Sequence, residues 1–185
     1  MRESGSAEDE DLITQVREGH VHAYEGLVER HQTIAFRVAW LITRSTPDAE
    51  EAAQDGFVKA YRNLDRFQSG KPFRPWLLQI VANEARNRRA SEQRRERLAL
   101  RAGREPALRS GPGADVAAVA SEERRALLAA IGRLDERDQS IIAARFFLEL
   151  SEAEAAMALG IRRGTVKSRL NRALGRLRKE LERDA

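Results

Sequence analysis

Cysteine is absent from the 185-residue chain, which excludes disulfides, thiolate zinc sites, iron–sulfur clusters and cysteine nucleophiles. Aromatic residues are scarce, at 5%, and no apolar run approaches the ~20 residues of a membrane span. The acidic start, Glu8 to Asp11, is the reverse of the basic segment that opens a secretory signal. No alternating run of β-branched residues is long enough for a strand, and no internal repeat appears. Walker loops, paired histidines on a helix face and nucleophile elbows are missing as well. His20 and His22 face apart at helical spacing and His31 falls in an apolar stripe, so the three histidines make no metal set. These absences point to a cytoplasmic protein that is not an enzyme and needs no cofactor or metal.

What is present is charge and helical periodicity. Hydrophobic residues make up 42% and charged residues 34%, too apolar for wholesale disorder and enough for one ordinary domain or two small ones. The net charge of +4 hides a division: residues 1–67 carry 8 basic and 13 acidic side chains, residues 68–185 carry 25 and 16. Such a division suggests an acidic surface for a basic partner and a basic surface for a polyanion, most often nucleic acid. Solvated helices also carry blocks of charge, so charge alone does not decide.

The spacing of apolar residues predicts an all-α protein. A short helix is expected around Leu12 to Arg17, closed by Gly19, and a long one from about Val21 to Ile42, with Tyr24, Leu27, Val28, His31, Ala35, Val38 and Leu41 on one stripe. Thr46 and Pro47 open a third helix, since proline costs nothing in the first turn. It turns Ala49, Ala52, Ala53, Phe57, Ala60 and Tyr61 inward and leaves Asp48, Glu51, Gln54 and Asp55 outside. A turn-rich stretch from Asp65 to Phe73 leads to a fourth helix starting near Arg74 or Pro75, with Trp76, Leu77, Ile80, Val81 and Ala85 buried and a strongly basic far end. Periodicity fades from Ser91 to about Ala114, where Gly103, Pro106, Gly111, Pro112 and Gly113 predict a flexible linker. The expected division is therefore a domain over 1–90, a linker over 91–114 and a domain over 115–185.

In the second domain, Leu127, Leu128, Ile131 and Leu134 form a stripe, and a helix from about Arg137 to Leu148 is expected to bury Ile141, Ile142 and Phe146. Ser151 and Glu154 form a capping box, which fixes a helix start, and Gly160 fixes its end. A second helix beginning near Arg163 carries Val166, Leu170, Leu174, Leu177 and Leu181 on one face. Two helices joined by so short a glycine turn make a helix-turn-helix. On the polar face Lys167, Ser168, Asn171 and Arg172 project together, flanked by Arg163, Arg169 and Arg176. Lysine or arginine suits guanine, asparagine suits adenine, and flanking arginines suit phosphates, as a recognition helix in a major groove requires.

Between Tyr61 and Arg89 aromatic and basic residues mix: Arg66, Phe67, Lys71, Phe73, Arg74, Trp76, Asn83, Arg86, Asn87 and Arg88. Rings that stack bases at ~1–3 kcal/mol each, beside cations that hold the backbone, suit single-stranded DNA. Aromatics at helical spacing are more often core, so Phe67, Phe73 and Trp76 are expected to be at least half buried.

Order and spacing join these signals. The runs Asp48-Ala-Glu-Glu-Ala-Ala-Gln-Asp-Gly-Phe57, Ala60 to Phe67, Phe73-Arg-Pro-Trp-Leu77 and Ile80 to Asn83, followed by Leu134 to Asp138, Leu150-Ser151, Leu159-Gly-Ile161 and Gly164 to Leu170, closely resemble the extracytoplasmic-function (ECF, group IV) sigma factors of bacterial RNA polymerase. The resemblance spans about residues 8–90 and 115–183. It implies two helical domains, sigma region 2 and sigma region 4, in an alternative sigma factor that selects promoters. It further implies that Asp48, Glu51, Gln54 and Asp55 dock on the β′ clamp helices of core polymerase, with a second core contact at the β flap. Arg66, Gln68, Ser69, Gly70, Lys71, Phe73, Trp76, Asn83, Arg86, Asn87 and Arg88 would open and read the minus-10 element, the loop 68–71 setting which unstacked base is captured. Lys167, Ser168, Asn171 and Arg172 would read the minus-35 element, with Arg163, Thr165 and Arg169 on phosphates. An anti-sigma factor is implied as a further partner, and a monomer when free.

A linker of about 25 residues has an r.m.s. span of only ~25–30 Å. Two elements one and a half helical turns apart lie ~50 Å from each other. Core polymerase would therefore have to hold the two domains apart for avid binding. The rival reading is a self-sufficient helix-turn-helix regulator that binds a palindrome as a dimer; it accounts for the second domain but not for the Asp48–Phe57 and Phe73–Asn83 runs.

Overall fold

In the computed structural model, which describes residues 3–101 and 122–183, every regular element is helical. The chain divides into two units, Met1–Ser110 and Gly111–Ala185, each with its own core. The first contains α1 (Glu3–Arg17), α2 (Ala23–Thr43), α3 (Thr46–Arg62), a 3-10 turn (Leu64–Arg66) and α4 (Phe73–Arg101).

Helices α2, α3 and α4 pack pairwise around Leu27, Val38, Ala52, Ala60, Leu77, Leu78 and Val81, all buried. Each large aliphatic side chain in that set contributes ~1.5–3 kcal/mol by leaving water. Ser45 caps α3, its Oγ accepting the Asp48 N–H at 3.4 Å, with Pro47 in the first turn. The tightest approach is at Gly56 on α3. A Cβ there would stand 2.5 Å from Val81 Cγ2 and 3.2 Å from Val81 Cα on α4, so only glycine lets the two backbones come this close.

Helix α1 is longer than the expected Leu12–Arg17, because its first half is anchored by polar groups that carry no apolar periodicity. Asp9 is buried and accepts from Arg30 Nε and His31 Nε2, both at 2.9 Å, while Glu8 also pairs with Arg30. Burial pushes the Asp9 carboxyl up, but hydrogen bonds and charge from His31 and Arg30 outweigh it and hold the group below its ordinary 3.8. His31 lies in the core stripe, as its spacing predicts, against the Phe73 ring with centroids 5.4 Å apart. At the other end, α4 runs on to Arg101, so residues 91–101 of the expected linker are helical. The arginine-, glutamate- and glutamine-rich run there favours helix without needing an apolar face. Residues 102–114, and the expected return of helix near Val116, lie outside the described residues.

The second unit contains α5 (Glu122–Arg133), α6 (Glu136–Ile142), a π-helical turn (Ala143–Phe147), α7 (Glu152–Leu159) and α8 (Arg163–Glu182). Helices α5, α6 and α7 all pack on α8, around Ala130, Ile141, Ala144, Leu150, Ala155, Val166 and Ala173. Asp135 caps α6 through the Asp138 N–H at 2.8 Å. The capping box of α7 is complete, with Ser151 N–H to Glu154 Oε2 at 2.8 Å and Glu154 N–H to Ser151 Oγ at 3.2 Å. Gly160 ends α7 at φ 64°, where the Ile161 N–H reaches back to the Ala156 carbonyl at 2.9 Å.

Two apolar expectations fail in this unit. Phe146 is 58% exposed rather than buried, as is Phe147 at 52%. Both lie within the π turn between Ala143 and Phe147, which adds a residue to the helical turn. Leu127 and Leu128 are also exposed, because α5 meets α8 near its own C-terminus, where Ala130 and Leu134 are buried and Arg133 Nε pairs with Glu180 at 2.9 Å.

Because Val81 leaves no room at Gly56, Gly56→Ala should destabilise the protein by about 1–3 kcal/mol. A lowered urea midpoint, monitored by circular dichroism, measures it.

Candidate functional site

Three surfaces carry the residues singled out by sequence. The first is the outer side of α3, where Glu51 and Gln54 are exposed and Asp48 and Asp55 partly so. It borders an open apolar groove of about 960 Å³ between α2 and α3, lined among others by Tyr24, Val28, Phe36, Phe57, Val58 and Tyr61, with Glu50 and Gln54 at its rim. The Tyr24 hydroxyl donates to the Phe57 carbonyl at 2.7 Å, its ring lies edge-on to Tyr61 at 5.0 Å, and burial pushes its pKa well up. Tyr61 is thus groove wall, 39% exposed, rather than the core residue its spacing suggested.

The second surface surrounds the turn between α3 and α4. Gln68, Ser69, Gly70 and Lys71 are exposed, and the Lys71 N–H closes the turn on the Gln68 carbonyl at 3.3 Å. Beneath it Phe67, Phe73 and Trp76 pack on one another, with ring centroids 5.0 to 5.8 Å apart. Phe73 is 1% exposed, so it is a floor for the turn and not a stacking platform for a base; Trp76 keeps a partly open edge. That edge joins Lys59, Asn63, Arg66, Ile80, Asn83 and Glu84 in a pocket of about 380 Å³, within the range of small-ligand sites. Lys59 pairs with Glu84 across it at 2.7 Å. Lys59, Asn63, Ile80 and Glu84 were not expected at the site, and Ile80 was expected in the core; they stand one or more turns apart on two helices, and only helix packing joins them.

The basic end of α4 is less available than its composition suggests. Arg88 donates to Glu51 and, at 2.5 Å, to Asp55, which hold its guanidinium above its ordinary pKa, the Asp55 hydrogen bond most of all. A residue expected at the minus-10 element is thereby joined to two expected at the polymerase. Arg89 donates to the Ile42 carbonyl at the end of α2, at 2.8 Å. Arg86 reaches the Ala82 carbonyl at 3.2 Å and is partly buried, which lowers its pKa. Asn83 and Asn87 are exposed.

The third surface is α8. Val166, Ala173 and Leu177 face the core, while Lys167, Ser168, Asn171 and Arg172 share the exposed side, with Arg163 exposed and Thr165 and Arg169 partly so. Arg172 Nε donates to the Ser168 carbonyl at 3.2 Å, which lays its head along the helix. Arg162 stands at the N-cap with no capping hydrogen bond from its side chain. Arg176 is no part of this face: it pairs with buried Asp138 and ties α8 to α6.

This arrangement matches known proteins over nearly the whole chain. The family models for sigma-70 region 2 and sigma-70 region 4 match residues 27–95 and 124–177. RNA polymerase sigma factor NccH of Alcaligenes xylosoxydans xylosoxydans is 34% identical over 171 residues, 91% of this chain and 92% of its own. The chain belongs to the sigma-70 family as an ECF sigma factor. The ECF RNA polymerase sigma-E factor of Escherichia coli (strain K12) is 31% identical over 89% of this chain and 90% of its own. The solved structure of CnrH in complex with the cytosolic domain of CnrY superposes with a TM-score of 0.60 at 27% identity, over 96% of this chain and 99% of that one. Like the family, this sigma factor binds core RNA polymerase and directs promoter-specific transcription initiation. A stand-alone dimeric regulator is not favoured, since it would leave the region 2 match over 27–95 without a reason.

The joint at Arg88 is measurable. A double-mutant cycle between Arg88→Ala and Asp55→Ala should give a coupling of about 0.2–1 kcal/mol that shrinks as salt rises, because the pair is partly exposed. Urea melts of the four proteins at low and high salt supply the numbers.

Proposed function

We propose that the outer side of α3 and the α2–α3 groove together form the dock for the β′ clamp helices. Glu50 and Gln54 stand at the groove's rim, Asp48, Glu51 and Asp55 supply charge on the adjoining outer side of α3, and Tyr24, Val28, Phe36, Phe57 and Val58 supply apolar area that a lone protein has no reason to leave open. This adjacency of a carboxylate row and an apolar groove is the observation that carries the reading. Arg88 aligns the Glu51 and Asp55 carboxylates and belongs to this dock as much as to the DNA surface. The exposed pair Phe146 and Phe147 suits a second protein contact, at the β flap.

The turn Gln68–Lys71 and the neighbouring pocket receive the minus-10 element, with Asn63, Arg66, Trp76 and Asn83 around one unstacked base and Asn87 and Arg86 along the strand. The cost of unstacking, a few kcal/mol, is offset by enclosure in the pocket. Helix α8 enters the major groove at the minus-35 element, where Lys167, Ser168, Asn171 and Arg172 meet base edges and Arg163, Thr165 and Arg169 meet phosphates. The working division is a region 2 domain that carries α4 on to Arg101 and a region 4 domain over 115–185, joined by a linker. The free protein is a cytoplasmic monomer and no enzyme; bond formation belongs to the polymerase. CnrH was solved with a protein partner, the cytosolic domain of CnrY, which supports an anti-sigma factor as a partner here too.

Charge reversal of Asp48, Glu51 and Asp55 together should weaken binding to sigma-free bacterial core polymerase by at least about tenfold. Fluorescence anisotropy of the labelled protein reads it, and an unchanged Kd would move the dock elsewhere. Asn171→Ala should relax selectivity at one minus-35 position by about 1–3 kcal/mol without a matching loss at the others. Holoenzyme binding to a minus-35 library checks it.

A further inference from the structure

The minus-10 turn is held by a helix with no assigned role. At the end of α1, Arg17 Nη2 donates to the Leu64 carbonyl at 2.8 Å and to the Phe67 carbonyl, and its Nη1 donates to Ser69 Oγ at 3.1 Å. Two turns earlier, Glu10 Oε1 accepts the Gly70 N–H at 2.6 Å. These bonds take hold of the backbone of the turn at Leu64, Phe67 and Gly70, and of one side chain at Ser69. Gln68, Ser69 and Lys71 remain exposed to solvent.

Helix α1 can hold the turn because it is itself fixed. Ile13 is buried, Leu12 sits so close over Gly26 that a Cβ there would be 3.2 Å from both Leu12 methyls, and Asp9 is bound by Arg30 and His31. His31 also lies against Phe73, the floor of the turn. The turn is therefore clamped from the side by Glu10 and Arg17 and from below through Asp9, His31 and Phe73. Charge-assisted hydrogen bonds to backbone fix position more firmly than neutral ones, and Arg17 presents several donors in one plane.

We infer that Glu10 and Arg17 are positioning residues for promoter selectivity: they set where the Gln68–Lys71 turn stands, and hence which base is accepted, without touching DNA. The inference rests on the reading of this turn as the minus-10 recognition element. Freed from α1, the turn loses these holds and keeps its own 3.3 Å closing bond and the aromatic floor. It would then sample several positions and discriminate poorly between bases.

The test uses the full chain bound to bacterial core polymerase and a promoter library randomised at both elements, with transcribed templates sequenced. Arg17→Ala and Glu10→Ala should each flatten base preference at the turn-read position about fivefold, the net weight of one ordinary hydrogen bond. The minus-35 profile and the affinity for core polymerase should not move. Glu10→Gln keeps an acceptor for the Gly70 N–H and should retain most of the preference. Gln68→Ala and Lys71→Ala serve as the reference, since they alter the turn itself. Should those two shift the profile while Arg17→Ala and Glu10→Ala leave it unchanged, the positioning role is overturned and the turn reading stands. Should the turn variants themselves change nothing, the turn reading falls and the inference with it. A uniform loss at both elements with a lowered melting temperature would make α1 a stability element only, and would also overturn the inference.

Discussion

The approach of α3 to α4 at Gly56 and Val81 sets the geometry on which the N-terminal unit's surfaces depend. With a side chain at residue 56 the helices would separate, and every pair that bridges them would lengthen. Lys59 reaches Glu84 and Arg88 reaches Asp55 only because α3 and α4 lie this close. One bridge crosses the small pocket beside the Gln68–Lys71 turn; the other ends at the acidic row proposed to face the polymerase. A single close contact in the core thus fixes two surfaces for which different partners are proposed.

That geometry also changes how the basic excess is read. The 25 basic residues after residue 67 suggest a broad polyanion surface, yet several are engaged in holding the protein together. Arg89 closes the end of α2, Arg88 bridges to α3, Arg176 ties α8 to α6, and Arg145 donates to the Leu150 carbonyl beside the π turn. A compact group remains outward on α8, Lys167, Ser168, Asn171 and Arg172, on the side opposite the buried Val166 and Ala173. Selectivity needs such a group, of mixed chemistry at fixed spacing, whereas charge alone gives affinity without sequence preference.

In the second unit the helix-turn-helix was legible because its determinants are local. A capping box spans four residues and a left-handed glycine one, and both are satisfied by backbone groups within a turn. The π turn ahead of it was not legible. Its residues, Ala143 to Phe147, read as an ordinary amphipathic helix, and the added residue shows only in the Leu148 N–H reaching the Ala143 carbonyl. Phe146 and Phe147 stand inside that turn, and both are exposed.

By itself the sequence determined the all-helical class, the starts and stops of α2 and α7, the starts of α3 and α8, and the identity of the family. Each of these depends on spacing within a few residues or on ordered runs that need no partner. The tertiary structure decided which side chains are available. Phe73 became floor and Tyr61 groove wall; Arg88 joined the acidic row; and Glu10 and Arg17, with no apolar period to mark them, came to grip a turn some fifty residues away. The physical reason is that hydrogen bonds and ion pairs are short-ranged and directional. Their partners are fixed only when helices distant in sequence have packed.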